Sequence, residues 1–452
     1  MATSVSLFLF LAPPMIKNKA SLSIATNMGF LLLGACFWIP DTHLQAQTFT
    51  PNYDESKVPQ YTLPDPLRFT NGNVVATSEA WHQKRRQEIL QLFESQVYGK
   101  TPSAAITVTF QLKSKNPNAF QGKATRKEIA IQVSSQQRVL TMDLLIYLPN
   151  DRPGPYRTFL GLNFGGNHSV TTEKDLSISN RWMRNKEDHG YINHRATEHS
   201  RGIYSSRWPI ESIIQRNFAV ATIYYGDIDP DYHDGFQDGV HPLFYEPGQS
   251  KPNHDQWGSL GAWAWGLSRA MDYFQIDTDI DSDKVIVLGH SRLGKTALWA
   301  AAQDTRFAIA ISNNSGCGGA ALSRRRFGET VQRINRSFPH WFNTNFKQFN
   351  NREDALPIDQ HMLIALIAPR PVLVSSAEED RWADPRGELL SLQEADGVYR
   401  LLGTDGTGTT TKPSKDRPYF STLSHHIRPG KHDVTLQDWN AFMNFSEHHL
   451  KP

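Results

Sequence analysis

Apolar and polar positions along the chain follow two different rhythms. Between Ser78 and Tyr98, the residues Trp81, Ile89, Leu90, Leu92 and Phe93 recur at helical spacing with charges between them, which predicts a surface helix. Ile106 to Leu112, Lys127 to Val133 and Val139 to Tyr147 alternate or run apolar, as the antiparallel strands that open a sheet do. The later apolar runs are continuous. Arg157 to Asn163, Phe218 to Tyr224, Lys284 to Leu288, Phe307 to Ser312 and Arg370 to Ser376 read as strands buried on both faces. Helical patterns separate them at Gly258 to Phe274 and Thr296 to Gln303, and Leu436 to Leu450 closes the chain as a helix. Strand alternating with helix predicts an α/β fold: a mostly parallel, doubly wound sheet in a three-layer sandwich.

Other stretches lack a period. Phe49 to Pro66, rich in Pro, Tyr and Asp, reads as an extended arm over the domain. Residues 169–210 hold Trp182, His189, His194, His199 and Trp208 without strand or helix spacing, and so long a loop is functional or disordered. Asp227, Asp229, Asp231 and Asp234 alternate as in a calcium loop, but the glycine and terminal glutamate of such a loop are misplaced, so a solvated loop is expected. Residues 320–360 are irregular and charged, and Gly403 to Pro418 reads as an exposed insertion. Ser424 to Asp433 carries His425, His426 and His432. There is no internal repeat, and residues 47–452 read as a single catalytic domain.

Composition narrows the possibilities. The 47 basic and 45 acidic residues nearly balance, at a formal net charge of +2, which leaves no case for nucleic acid or a membrane surface as partner. Eleven Trp and 14 Tyr suit sugar faces but are more commonly core residues. Cys36 and Cys317 are the two cysteines. Lys17 and Lys19 precede an apolar run from Met28 to Ile39, then small or polar residues around Gln45-Ala46-Gln47. That pattern is a signal peptide, too short for a membrane span, with Met15 or Met28 as alternative starts and cleavage expected near Ala46. Leu33-Gly34-Ala35-Cys36 also resembles a lipoprotein box, so lipidation at Cys36 is the alternative to an exported periplasmic or secreted protein. Cleavage leaves Cys317 alone, which excludes an internal disulfide and a zinc-cysteine site. The histidines lack metal-ligand spacing, and neither metal nor cofactor is expected.

The chemistry concentrates in Gly289-His290-Ser291-Arg292-Leu293-Gly294, between an apolar run and a helical one. A serine at a strand-to-helix turn flanked by glycine is the context of a nucleophile elbow, which lifts Oγ above the sheet and frees the next N–H for an oxyanion. The ordinary form is G-x-S-x-G; here Leu293 takes the small position and Gly294 comes one residue late, and a glycine-flanked serine can also be a plain turn. Arg292 and Lys295 fall in the first helical turn, where the macrodipole disfavours cations, which points to an anionic ligand or developing negative charge. Phe164-Gly165-Gly166-Asn167 after an earlier strand resembles the loop that supplies a second oxyanion N–H in α/β-hydrolases, and reads equally well as a plain turn. Those enzymes place their triad in the order serine, acid after a late strand, histidine in a late loop. Here that order is Ser291, Asp380, His432.

Five blocks carry a resemblance: Gly289 to Lys295, Asn314 to Gly319, Arg325 to Glu329, Glu379 to Pro385 and Pro429 to Asp433. Together, in that order and across most of residues 90–450, they are similar to bacterial glucuronoyl esterases, carbohydrate esterases of the α/β-hydrolase superfamily. The resemblance implies Ser291 as nucleophile, Arg292 as oxyanion stabiliser, and Lys295, Glu329 and Trp382 as contacts to the uronic acid ring. It departs at Asn314, where some members carry their catalytic acid. The acid is then expected at Asp380, with Glu378 and Glu379 as minor candidates. The expected activity is that of a serine esterase acting on esters of glucuronic or 4-O-methylglucuronic acid, such as lignin–carbohydrate bonds of glucuronoxylan, by a monomer and without cofactor. The alternatives are an acetyl xylan esterase or general carboxylesterase and, third, a non-catalytic carbohydrate-binding protein.

Overall fold

The computed structural model describes residues 49–135, 138–408 and 420–451. The leader expected over residues 1–46, Cys36 with it, and most of the insertion after Gly403 lie outside these residues. One sheet of nine strands organises the rest: β1 (Thr107–Ala119), β2 (Ala124–Ser134), β3 (Val139–Pro149), β4 (Tyr156–Asn163), β5 (Ala219–Tyr224), β6 (Ile280–His290), β7 (Ile309–Asn313), β8 (Val372–Ala377) and β9 (Leu423–Arg428). Their spatial order is β1-β2-β3-β5-β4-β6-β7-β8-β9. The first three strands are antiparallel, β3 meets β5 antiparallel, and every pairing from β5 to β9 is parallel.

Residues 78–98 form one helical stretch, α1. It is followed by α2 (Ser259–Phe274), α3 (Arg292–Gln303), α4 (Pro385–Leu401) and α5 (Leu436–His449). Strand β6 explains the three layers, because successive side chains point to opposite faces. Val285 and Val287 join the core packed by Trp263, Leu298 and Trp299, whereas Ile286 and Leu288 join that of Trp439 and Phe442. Each such fully buried aliphatic side chain contributes about 1.5–3 kcal/mol. The two apolar faces make the continuous run that the sequence shows.

Strand β9 carries no strand signal in the sequence, because at the sheet edge it pairs only with β8, and His425 and His426 dilute its apolar pattern. One expectation needs correction: the acidic run from Asp227 is not a solvated loop, since Asp227, Asp229 and Asp231 are buried. Asp227 accepts the N–H of Asp143 at 3.1 Å, Asp229 pairs with His241 at 2.9 Å, and Asp231 belongs to the site below. Burial pushes the Asp227 carboxyl up to about 7. The arm from Phe49 crosses the Trp382 region, where Phe49 meets the Trp382 ring edge-on and Glu55 pairs with Arg325 at 2.7 Å. Among the described residues, no helix is long and apolar enough to cross a membrane.

Candidate active site

In an open parallel sheet, side chains able to meet a ligand gather beyond the carboxyl ends of the strands. Here β4 leads to Phe164, β5 to Tyr225, β6 to Ser291, β7 to Asn314, β8 to Asp380 and β9 to His432. Ser291 has φ of 57° and ψ of −127°, a left-handed backbone that a β-bearing residue adopts only under constraint. Its N–H donates to the Asn313 carbonyl at 2.8 Å, and α3 begins at the next residue. As first helical residue, Arg292 has no carbonyl within its own helix for its N–H. Gly289 is required here: a Cβ would lie 1.9 Å from the Leu293 carbonyl oxygen, so the turn closes onto the residue two before the serine. The late glycine has its own reason, since a Cβ on Gly294 would stand 3.0 Å from both the Gly289 oxygen and the Ser315 Cβ, while Leu293 is absorbed into the core.

Asp380 and His432, 52 residues apart, meet: Asp380 Oδ2 lies 2.5 Å from His432 Nδ1. The contact depends on backbone pairing that continues past the strands, with the N–H groups of Glu378 and Glu379 donating to the carbonyls of Arg428 (2.9 Å) and Gly430 (3.1 Å). Glu378 and Glu379 are exposed, whereas Asp380 is buried. Arg428 shapes the histidine loop. Its guanidinium donates to Asp438 (2.6 Å) and to the carbonyls of Pro429, Lys431 and Asp433. Asp438 in turn caps α5 with Thr435 and accepts from Ser375 at 3.0 Å, which locks the histidine loop to the helix and the sheet. Beside His432 the ring of His290 packs at 4.5 Å. Its Nδ1 is 2.6 Å from the Asn313 side-chain oxygen, and burial holds it well below the usual histidine range, so it stays neutral. Asn314 has φ of 47°, and its amide nitrogen donates to the Asp433 carbonyl at 3.2 Å.

The cations of the first turn of α3 find partners within the protein. Arg292 pairs with buried Asp231, which also accepts from Tyr225 (3.1 Å), His340 (3.0 Å) and Trp341 (2.7 Å). The guanidinium lies 4.8 Å from the Trp341 ring and 5.7 Å from that of Phe164. Burial would raise the Asp231 carboxyl, but Arg292 and His340 outweigh it and hold it at about 2. Lys295 is buried, donates to the Ser315 carbonyl and has Glu329 at 4.0 Å. Burial lowers the Lys295 ammonium and raises the Glu329 carboxyl, each partly offset by the other. The Glu329 N–H donates to the Trp382 carbonyl at 3.1 Å. Lys295, Glu329 and Trp382 are therefore one linked group.

Ser291, Arg292 and His432 open into a cavity of about 270 Å³, also lined by Phe164, Tyr191 and Tyr204. Lys295, Glu329 and Trp382 do not line it, nor do Gly165 and Gly166. The long segment 169–210 is ordered and supplies one wall from Met183 to Arg207. Tyr191 donates to the Gly165 carbonyl at 3.2 Å, and Arg207 to Asp433 at 2.6 Å. Two carboxylates to which the sequence assigns no part in the site hold it. Asp231 is one. Glu388 is the other, fully buried and accepting the N–H groups of Ser315 (2.8 Å) and Gly316 (2.9 Å) and the Ser376 hydroxyl (2.5 Å), with burial pushing it up to about 7. Burial of a carboxylate between distant strands leaves no local signal. Among the described residues no three of His, Cys, Asp or Glu are grouped to hold a metal ion.

Removing Asp231 would strand the Arg292 charge in a buried setting. Asp231→Ala is expected to cost about 3–5 kcal/mol, read by urea unfolding at neutral pH. The folded-state carboxyl lies below its value of 3.8 in the unfolded chain, so its stabilisation is complete above about pH 4 and lost as the pH falls through about 2. A change within about 0.5 kcal/mol, the range of ordinary surface substitutions, would remove Asp231 as the anchor of Arg292.

A family model described as glucuronyl esterase of fungi matches residues 212–403. The chain is 52% identical over 420 residues to a carbohydrate esterase, MZ0003, from an unknown prokaryotic organism, covering 93% of this chain and 97% of that one. It superposes on the solved structure of a promiscuous CE15 esterase from a marine bacterial metagenome with a TM-score of 0.83 at 52% identity, over 89% of this chain and 100% of the other. A glucuronoyl esterase from Solibacter usitatus gives a TM-score of 0.82 at 44% identity, over 87% of this chain and 99% of the other.

Proposed function

The chain belongs to carbohydrate esterase family 15, the glucuronoyl esterases, and on that premise we propose that it hydrolyses esters of glucuronic or 4-O-methylglucuronic acid, such as those joining glucuronoxylan to lignin alcohols. Ser291 Oγ attacks the ester carbonyl carbon while the His432 ring nitrogen not bonded to Asp380 takes the hydroxyl proton. The Arg292 N–H and guanidinium stabilise the oxyanion, charge that exists only in the tetrahedral species. Collapse breaks the bond to the alcohol oxygen, which leaves with the proton held by His432. Water then attacks the uronoyl-Ser291 ester, its proton passes to His432, and Ser291 Oγ recovers that proton as the uronic acid departs. Asp380 holds the ring tautomer and faces the imidazolium. Lys295, Glu329 and Trp382 contact the uronate ring, and no cofactor takes part. The enzyme works as an exported monomer, a reading supported by the leader at Lys17 to Ala46.

The observation that carries this reading is the Asp380–His432 contact, with His432 opening on the same cavity as Ser291 and Arg292. Its rival is an acetyl xylan esterase or general carboxylesterase, for which an ammonium and carboxylate buried together at Lys295 and Glu329 have no use. Benzyl glucuronate and benzyl acetate share a leaving group, so their kcat/KM ratio isolates the acyl side. The uronate is expected to be preferred by on the order of 10²-fold or more. Faster turnover of benzyl acetate would sink the uronate assignment.

A further inference from the structure

The cavity at Ser291 has a charge pattern that ring recognition does not use. Four of its lining residues are cations, Arg184, Lys186, Arg207 and Arg292, and none is acidic. Among the described residues, only two carboxylates answer them within ion-pair distance: Asp231, paired with Arg292 and 3.8 Å from Arg184, and Asp433, paired with Arg207. Lys186 makes no ion pair among the described residues. Glu187 and Asp188 follow it in sequence but do not line the cavity, and Asp188 lies beside His189 at 3.7 Å. Positive charge is therefore in excess on the wall built by the Met183 to Arg207 segment.

The ester itself is neutral, so an anion-attracting wall has nothing to bind on the carbonyl. The residues assigned to the uronate ring lie outside the cavity lining. We propose that this wall is a leaving-group subsite for an anionic aryl alcohol, one that carries a carboxylate on its ring. Tyr191 and Tyr204 face the same cavity and offer ring surface to the aryl portion, while Arg184 and Lys186, both exposed at the rim, meet the carboxylate. This inference rests on the uronate esterase reading and deepens it by naming the alcohol.

The test uses the full chain and two glucuronate esters of matched size, 4-carboxybenzyl and its neutral counterpart 4-carbamoylbenzyl. At low ionic strength kcat/KM is expected to favour the anionic ester by about tenfold, the effect of one added attraction near a protein surface. The ratio should approach one in about 1 M salt, where the screening length falls to about 3 Å, a readout that needs no variant. Lys186→Glu should invert it. Equal rates at low salt overturn the subsite, and if both esters still outpace benzyl acetate the esterase reading stands. A ratio untouched by Lys186→Glu overturns it as well. So does Lys186→Gln if it raises the inhibition constant for free glucuronate without changing the ratio, because the cations then serve the product carboxylate. If neither ester is turned over, the uronate reading itself has failed.

Discussion

Ser291→Ala is expected to lower kcat on benzyl glucuronate by about 10⁶-fold, the scale seen when the serine of a nucleophilic triad is removed. The size follows from its position. The elbow holds Ser291 at φ 57° with its N–H bonded to the Asn313 carbonyl, a backbone geometry fixed by β6, β7 and the clash-limited turn at Gly289. Alanine keeps the Cβ and the backbone bond, so the fold and the cavity persist while the only atom able to form the acyl-enzyme is gone. Uronate affinity should therefore stay within about twofold, since the proposed ring contacts Lys295, Glu329 and Trp382 are untouched, and the folded variant should trap unhydrolysed ester. Calorimetry with glucuronate and single-turnover assays check both halves. Retention of near wild-type rates would end the covalent mechanism. Equal inactivity of the wild-type protein would leave a carbohydrate-binding role for a hydrolase fold.

Asp380→Asn is expected to lower kcat by about 10⁴-fold, by analogy with loss of the aspartate from a serine triad. Asparagine keeps the shape but offers no charge to the imidazolium and permits the wrong tautomer, and Asp380 touches His432 at 2.5 Å from a buried position. Glu378 and Glu379 are exposed, whereas the carboxylate that meets His432 is the buried Asp380. Asn314 is the place to restore charge, because its side chain already reaches the carbonyl of Asp433, next to His432. Asn314→Glu should rescue Asp380→Asn in part. The rescue carries a conformational penalty of about 1–2 kcal/mol, because residue 314 sits at φ 47°, which asparagine tolerates better than glutamate. The double variant must be shown to fold before its rate is read. Nearly full activity of Asp380→Asn alone would remove Asp380 as the acid, and a folded but unrescued double variant would deny that Asn314 lies within reach of the imidazole.

Much of this architecture is local and was legible in the chain. Strands β1 to β8 announce themselves through runs of β-branched and apolar residues, and the elbow through Gly289, Ser291 and Gly294, because both depend on neighbours a few positions away. The order Ser291, Asp380, His432 was readable too, since Ser291 and Asp380 follow strands whose period is visible and His432 stands shortly before the closing helix. Strand β9 was not: an edge strand with one partner needs less apolar surface, and its histidines spoke for chemistry instead. The first-turn cations were read correctly as anomalous, but their compensating charge is Asp231 for Arg292 and Glu329 for Lys295, not a ligand alone. The acidic run that holds Asp231 looked solvated because alternating aspartates usually are.

What only the tertiary structure decided is which distant charges share a low-dielectric space. Asp231 reaches Arg292 across 61 residues of sequence, Glu388 holds the Ser315 N–H across 73, and Arg428 with Asp438 sets the loop of His432. The cationic wall from Met183 to Arg207 likewise has no period, being fixed by single bonds such as Tyr191 to Gly165 and Arg207 to Asp433. A buried ion pair is selected by the cost of leaving either partner alone, and that cost arises only after the sheet has brought the two ends of the chain together.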